Sequence, residues 1–567
     1  MSDQGYTPLR VPFANMSFCP DIPSNALAPN EYNNGYNVEA DVRGLKKVDG
    51  EISILSAISG NIIYMEAGFR ANNDWCYIIA TSAGIWYKMN IAGITVITPP
   101  SPYVTFSTTT GYSYSGSISG NPTPTPPITG AWIGQVFFIN DNINPPMYFT
   151  PTSTAIALFD SVDPVTLTTN IWNYESTIGV ASVEAAFVRE YSAPNIGNIL
   201  IAGNLTKTAT SGGAISHYPT TVRWSQSFAN TGVPSTWQPT VSNTANELEV
   251  PVRGPLIDGF PLGANFYVCS YWDTVIFAPI AYQAYNAPSF AIAPFKKGRG
   301  LLNQNCWDNG DEVVYGVDAR DIWAFDGSNF IPLANQKLKN YFYNNLNPSY
   351  IQHVHLVNNT KKNQIEIYYP SLSSTGYCDQ MLSYRYDLKI WNSPKTINNS
   401  AMAVEAPVYS GGSTGGTFNL SSRCVVYAPN TGAGGLKLAQ TGQGTSFSGN
   451  AISSLFERDN LTLLDDQGSP ITYPHHIYVH RLFPEISTTT PSNNPAITIT
   501  LGGANSTAQT PIFGDPETVQ IVTDNPWVTT TQNDVRTIAL KVSSNDATNT
   551  WNLTAMTFLS TIVEDAF

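Results

Sequence analysis

The sequence predicts an all-β protein: a β-propeller-like platform with insertions, followed by a C-terminal β-sandwich. Three observations carry this expectation. Charged residues make up only 12% of the 567 residues, about half the usual share of roughly 25%. The polar surface must therefore come from Ser, Thr, Asn, Gln and Tyr, not from the Lys and Glu of solvent-facing helices. Gly 42 and Pro 40 supply turns, while Tyr 30 and Phe 25 suit strands. Finally, a strand–turn–Ile-Trp–turn–strand unit recurs. It is clearest in VVYGVDARDIWAFDGSNFIPL, Val313 to Leu333, and returns in CYIIATSAGIWYKMNIAGITVI, Cys76 to Ile97. Ile85-Trp86 align with Ile322-Trp323, and Ile390-Trp391 ends another strand in the same way. Such a unit suits blades that stack aromatic and branched side chains between neighbouring sheets.

In chain order, residues 1–50 read as an extended N-terminal arm, because Pro8, Pro12, Pro20, Pro23 and Pro29 interrupt regular structure. The arm either lies on a neighbouring subunit or packs as an internal strand. Residues 51–455 hold the propeller, with loop insertions expected at about 98–130, 205–220 and 395–455, where Ser, Thr, Gly and Pro concentrate. At about 40–50 residues per blade this span allows six to eight blades. Ser182 to Tyr191 reads as helix or strand. Residues 456–567 alternate as short strands, for example HIYVHRLFPEI and VRTIALKVSS, and form the sandwich.

Charge and chemistry narrow the function. The net charge of −14 repels nucleic acid and anionic membrane. The N-terminus has no basic region leading into an apolar core, and no run reaches the roughly 18 apolar residues of a membrane span. Cys19, Cys76, Cys269, Cys306, Cys378 and Cys424 form no CxxC pair and sit in or beside apolar strands, so they read as buried thiols. Sequons at Asn15, Asn204 and Asn460 read as accidents of composition. Phosphate-loop, HExxH and GxGxxG patterns are absent, and no GxSxG elbow is read.

Weaker constellations remain. His353 and His355 have the H-x-H spacing some metal sites use, without a third ligand at informative spacing. His476 and His480 share one strand face and His475 the other, which argues against a joint site. Asp308, Asp311 and Glu312 form one acidic group; Asp318, Asp321 and Asp326 form another, placed where propeller turns use Asp to close Asx-turns. Lys296-Lys297-Gly298-Arg299 reads as a solvated loop or a phosphate contact. Ser543 to Trp551 faintly resembles a sialidase Asp-box without its glycine. No catalytic, cofactor-binding or metal-binding residue is assigned, and the chain is read as not an enzyme.

The order of motifs resembles the tail nozzle (tail tubular) proteins of short-tailed, podovirus-type bacteriophages. RWS at Arg223 to Ser225 is followed by TWQP at Thr236 to Pro239, PLIDGF at Pro255 to Phe260 and GRGLL at Gly298 to Leu302. The Val313–Leu333 unit and IEIYYPS…YCDQMLSYRYDLKIW come next. LAPNEYNNGYNVEADVRGLKKVDG looks like the family's opening, and the strands ending WNLTAMTFLSTIVEDAF are similar to its closing domain, although the family often ends Gly-Arg-rich. The resemblance implies a virion protein in the tail: a homohexameric ring that binds adaptor or portal proteins above and tail fibre proteins at its side, with host-surface contact open. Its axial channel would pass DNA during genome ejection without specific binding. The acidic surplus is expected to line that channel or its mouth. The rival reading is a carbohydrate-active or glycan-binding propeller, a depolymerase or lectin-like module.

Overall fold

The structure, a computed structural model, describes residues 6–564 apart from 56–57, 71–73, 99–127, 143, 160–171, 281–289, 311, 430–437, 448, 462, 464–470, 472–474, 490–493, 508, 523–526 and 530–534. The chain is all-β. Five four-stranded antiparallel sheets follow one another along it, and an eight-stranded sheet follows them. Blade 1 comprises Ile62–Phe69, Trp75–Thr81, Trp86–Asn90 and Gly93–Val96. Blade 2 runs from Thr129–Ile133 to Ala157–Leu158, blade 3 from Val180–Ala193 to Asn246–Glu249, blade 4 from Leu256–Leu262 to Phe290–Lys297, and blade 5 from Trp307–Asn309 to Phe330–Pro332.

The eight-stranded sheet is two blades joined by one long strand. His355–Asn359, Gln364–Tyr369 and Cys378–Arg385 build blade 6, with Ile390–Trp391 at its margin. Strand Lys395–Gly412 pairs with Cys378–Arg385 at its start, then shifts register after Ser400 and pairs with Gly415–Pro429. Its second half is the first strand of blade 7. Leu438–Thr441 follows, and Glu51–Leu55, from before blade 1, adds the outermost strand of blade 7. The ring therefore closes by a strand from the other end of the chain.

Packing confirms the ring. Each seam between neighbouring blades has an apolar cluster of strand residues. Separate clusters fill the seams 7–1, 1–2, 2–3, 3–4 and 6–7, and one larger cluster runs through blades 4, 5 and 6. The repeat seen in the sequence is a blade feature. Trp86 and Ile322-Trp323 open the third strands of blades 1 and 5, and both indoles are fully buried. Gly316 is required beneath one of them, since a Cβ there would lie 2.3 Å from Trp323. Ile390-Trp391 differs: it lies on the fourth strand of blade 6, so it is not an equivalent position.

Two six-stranded sheets face each other in the second unit. One is centred on His475–Ser487 and Asn552–Glu564, the other on Ile452–Leu461, Ala496–Ala504 and Thr537–Asp546. The expected boundary at 456 falls inside a strand, because Ile452–Leu461 belongs to this sandwich. Of the two placements expected for the 1–50 segment, the structure shows the internal one. Thr7–Pro12 pairs with Asn552–Glu564, Asn34–Tyr36 with Ile452–Leu461, and Gly44–Lys47 with Asn552–Glu564. The proline argument failed because Thr7–Pro12 is an edge strand, and Pro8 and Pro12 have the same parity, so their missing N–H groups share one side.

Two of the expected loop insertions are strands as well. Residues 205–220 lie in the hairpin Gly197–Ala209/Ile215–Trp224, and 395–429 form the long pair of blade 7. Both are polar because parts of these hairpins stand in solvent, not because the backbone is irregular. The insertion at 98–130 lies almost wholly outside the described residues. Ser182 to Tyr191 is strand, and among the described residues the one α-helix is Lys339–Asn345. Among the described residues, ten of the twelve non-glycine residues with positive φ are asparagines, including Asn15, Asn204 and Asn460. The sequon asparagines thus sit at left-handed backbone positions that Asn tolerates.

Candidate functional site: the axial cavity of the propeller

First strands pack side by side at the seams 2–3, 3–4, 5–6, 6–7 and 7–1. Between them lies a cavity of about 440 Å³. Glu66 (blade 1), Arg189 and Glu190 (blade 3), Asp308 (blade 5), Asn358 (blade 6) and Glu405 (blade 7) line it. Asp258 of blade 4 completes the wall from behind through Arg189.

Arg189 is fully engaged. Its Nε and Nη2 donate to Asp258 at 2.8 and 2.6 Å, Nη1 to the Gly130 carbonyl at 3.0 Å, and Nη2 also to Asn305 Oδ1 at 2.7 Å. Burial would lower its pKa, but the Asp258 carboxylate outweighs this and holds the guanidinium charged. The four lining carboxylates have no such partner. Asp308 accepts the Asn358 N–H at 2.7 Å, and Glu405 accepts the Thr360 N–H and hydroxyl at 2.7 and 2.5 Å. Glu66 accepts the Ala67 N–H at 3.2 Å and the Tyr64 hydroxyl at 3.4 Å. Burial pushes Glu66 and Glu190 up to about 7 and Asp308 up to about 6. Near neutral pH Glu66 and Glu190 are therefore partly protonated.

Of the residues singled out in the sequence, the structure brings only Asp308 to this cavity. Asp311 lies outside the described residues, and Glu312 is exposed. Asp318 Oδ1 accepts the Arg320 and Asp321 N–H groups at 2.6 and 2.8 Å, and Asp326 Oδ1 those of Ser328 and Asn329 at 2.8 and 2.6 Å. These are turn-closing aspartates. Arg299 pairs with Asp318 at 3.0 Å, which ties down the end of the Lys296–Arg299 cluster. The Asp-box-like stretch is a turn of the sandwich, in which Asp546 accepts the Thr548 N–H at 2.7 Å.

His353, His355, His476 and His480 are tied to neighbouring groups of the scaffold. His353 ends a 3-10 helix and its carbonyl meets His355 Nδ1 at 2.9 Å, while the His355 ring stacks on Tyr368 with centroids 4.9 Å apart. Burial holds His353 down at about 3 and His355 at about 4. His480 Nε2 lies 2.9 Å from Thr561 Oγ1, and Arg536 Nε donates to His476 Nε2 at 3.2 Å. Among the described residues no group of three or more His, Cys, Asp or Glu could hold a metal ion. All six cysteines are buried and free, and burial pushes Cys19, Cys76, Cys269 and Cys424 up to about 12.

The RWS and TWQP motifs are also scaffold. Arg223 is fully buried and bonds Glu247 at 2.7 Å, Glu175 at 2.9 Å and the Trp172 carbonyl at 3.1 Å, while Trp237 packs edge-on against Trp172. Glu66, Arg189, Glu190, Asp258 and Glu405 escaped sequence reasoning because they are far apart in the chain. Their signal is a charge inside an apolar first strand, as in IIYMEAGF, AAFVREY, LIDGF and MAVEAPV.

No family model matches the sequence. No curated protein matches it either. Among solved structures, the chain is similar to the WD40 repeats of RRP9, with TM-score 0.34 and 8% identity over 70% of this chain and 99% of that one. It is also similar to the CNH domain of AfRom2, with TM-score 0.31 and 9% identity over 70% of this chain and 98% of that one.

Proposed function

We propose that this chain is a virion structural protein, the nozzle subunit of a short phage tail, and that it acts without catalysing a reaction. The sequence motifs that resemble nozzle proteins support the tail assignment. The observation that carries the mechanical part is the weave of the two chain ends: segments from 7–47 and 452–564 build one sandwich, whose core is continuous with that of blades 4 to 6. A wall element that must resist load during genome ejection gains from such closure, since neither end is free to peel away from the other.

The cavity dimensions bear on where DNA would run. A space of about 440 Å³ inside one chain cannot admit a duplex whose major groove alone is about 12 Å wide. The conduit of this reading is therefore formed between subunits, on the axis of a homohexameric ring. Adaptor or portal proteins would sit above the ring and fibres at its side. An acidic subunit surface would let DNA slide, because phosphate binding is driven by cations.

Size-exclusion chromatography with light scattering tests the assembly, and imaging of tails with an antibody to this chain tests its location. A six-fold ring at the distal tail is the expected result. A stable monomer that releases reducing sugars from host capsule would overturn the reading in favour of the glycan-handling alternative, which draws on the four carboxylates gathered in the cavity.

A further inference from the structure

We propose that this chain carries two complementary contact patches for a second copy of itself, a cationic patch around Trp272 on blade 4 and an acidic patch at residues 512–517 of the sandwich. The inference deepens the ring reading above and rests on it.

Lys296 and Lys297 lie at the exposed end of strand Phe290–Lys297. Asp273 is the register partner of Lys297, and Trp272 precedes it in the chain. The Trp272 carbonyl accepts the Gly298 N–H at 2.7 Å, the Arg320 guanidinium stands 6.0 Å from the centre of the Trp272 ring, and Gly254 borders that ring. Five cations, Arg253, Lys296, Lys297, Arg299 and Arg320, are thus gathered near one indole that is 40% exposed. They share one face of the propeller. Trp272 and Arg320 lie in turns between second and third strands, and the other four lie where a fourth strand leads on to the next blade.

Two of these cations are neutralised: Arg253 by Asp273 at 2.6 Å, and Arg299 by Asp318 at 3.0 Å. Lys296, Lys297 and Arg320 are exposed and form no ion pair among the described residues. Such a patch stands out on a chain in which 41 acids oppose 27 bases. Trp and Arg are also the side chains that most often anchor protein interfaces.

The sandwich offers the reverse. Asp515 and Glu517 are exposed and form no ion pair among the described residues, and Ile512 near them is 75% exposed. Strands Ile512–Phe513 and Glu517–Gln520 both pair with Ala496–Ala504, which holds this segment against one strand. Lys541 is held by Glu457 at 3.0 Å and lies 4.2 Å from the centre of the Phe513 ring, so it does not neutralise the two acids.

Each patch combines unpaired charge with one exposed apolar side chain, and the signs are opposite. The charges stay unpaired within one chain and are matched between two. Because the patches are different surfaces, the contact runs head to tail from copy to copy, which is how rings are built. A polyanion such as nucleic acid would use the cations alone, against the net charge of −14. A second copy uses both patches.

The test is size-exclusion chromatography with light scattering on the full chain. The parent should assemble beyond the monomer. Lys296→Glu with Lys297→Glu, and separately Asp515→Lys with Glu517→Lys, should each weaken assembly by roughly tenfold or more. An equal mixture of the two reversed proteins should assemble again, since each reversed patch then meets the other reversed patch and the unaltered patches still match. Lys361→Glu, at an exposed cation outside both patches, should behave as the parent. Melting curves check the fold, and misfolded proteins would not rescue one another. Assembly retained by both reversed proteins, or a mixture that stays apart, would overturn the contact and leave the ring reading standing. A parent that stays monomeric overturns the contact as well, and imaging of tails then decides the nozzle reading separately.

Discussion

Arg189 and Asp258 form a two-point ion pair across the seam of blades 3 and 4, with Nε to Oδ1 at 2.8 Å and Nη2 to Oδ2 at 2.6 Å. Asp258 Oδ2 also accepts the Trp307 indole N–H at 2.8 Å and the Asn305 N–H at 3.2 Å, so the pair clamps blade 5 as well. Asp258 is fully buried. Asp258→Asn leaves a buried guanidinium facing a neutral group and should cost about 3–5 kcal/mol, because the uncompensated charge stays in place. Arg189→Met with Asp258→Leu should recover much of that loss, since it removes both charges. Urea unfolding of the three proteins checks this; a single variant as stable as the parent would refute the clamp.

The raised cavity carboxyls give stability a defined pH dependence. Glu66 and Glu190, at about 7, hold protons that the unfolded chain has released. The native state therefore binds more protons than the unfolded state above about pH 4, and stability falls as pH rises towards 7. His353 and His355 act in the opposite sense below about pH 6.5, because burial keeps them neutral while unfolded histidine is protonated. Comparing parent with Glu190→Gln separates the two effects. The variant should gain on the order of 1 kcal/mol at pH 8 and nothing at pH 4. An equal difference at both pH values would be incompatible with a raised Glu190.

Glu39 joins the sandwich to blade 6. It pairs with Lys46 at 2.8 Å and with Lys362 at 2.9 Å, and Lys362 also reaches Asp49 at 3.1 Å. Burial alone would raise its pKa, but Lys362 and Lys46 together hold it below the usual carboxylate range. Its contribution is present above the unfolded value near about 4.3 and is lost as pH falls through the folded value. Lys362→Met should cost about 1–3 kcal/mol at pH 7. Because the two units share one apolar core, guanidinium unfolding should stay a single transition and shift to lower denaturant. A single unshifted transition would show that the contact does not couple the units.

Local pattern made much of this fold legible. The Ile-Trp units at Ile85-Trp86 and Ile322-Trp323 mark the third strand of a blade because a buried indole needs a neighbouring glycine or strand on which to lie. Turn aspartates such as Asp318 and Asp326 were readable because an Asx-turn is closed by residues two or three positions away. Partnerships across the whole chain were not legible. Nothing local in Thr7–Pro12 tells of Asn552–Glu564, and prolines conceal an edge strand. The cavity was hidden for the same reason: its carboxylates come from blades 1, 3, 5 and 7, and only ring closure gathers Glu66, Asp308 and Glu405 in one place.

That closure depends on Glu51–Leu55, whose register runs from Leu438↔Leu55 to Thr441↔Glu51. Leu55 is 1% exposed in the apolar seam between blades 7 and 1. Leu55→Ala should therefore cost about 2–5 kcal/mol, as a large-to-small change in a packed core does. Ile331→Ala makes the comparison: Ile331 also lies on an outermost strand, but is 48% exposed, and its loss should stay near about 0.5 kcal/mol. The kinetics carry the sharper expectation. The closing strand is separated from its partner by almost the entire propeller sequence, so its pairing bears a large loop-closure cost and forms late. A contact absent from the transition state affects mainly the unfolding rate. Leu55→Ala should then accelerate unfolding and leave refolding nearly unchanged in stopped-flow denaturant jumps. Slowed refolding with an unaltered unfolding limb would mean that ring closure precedes blade formation.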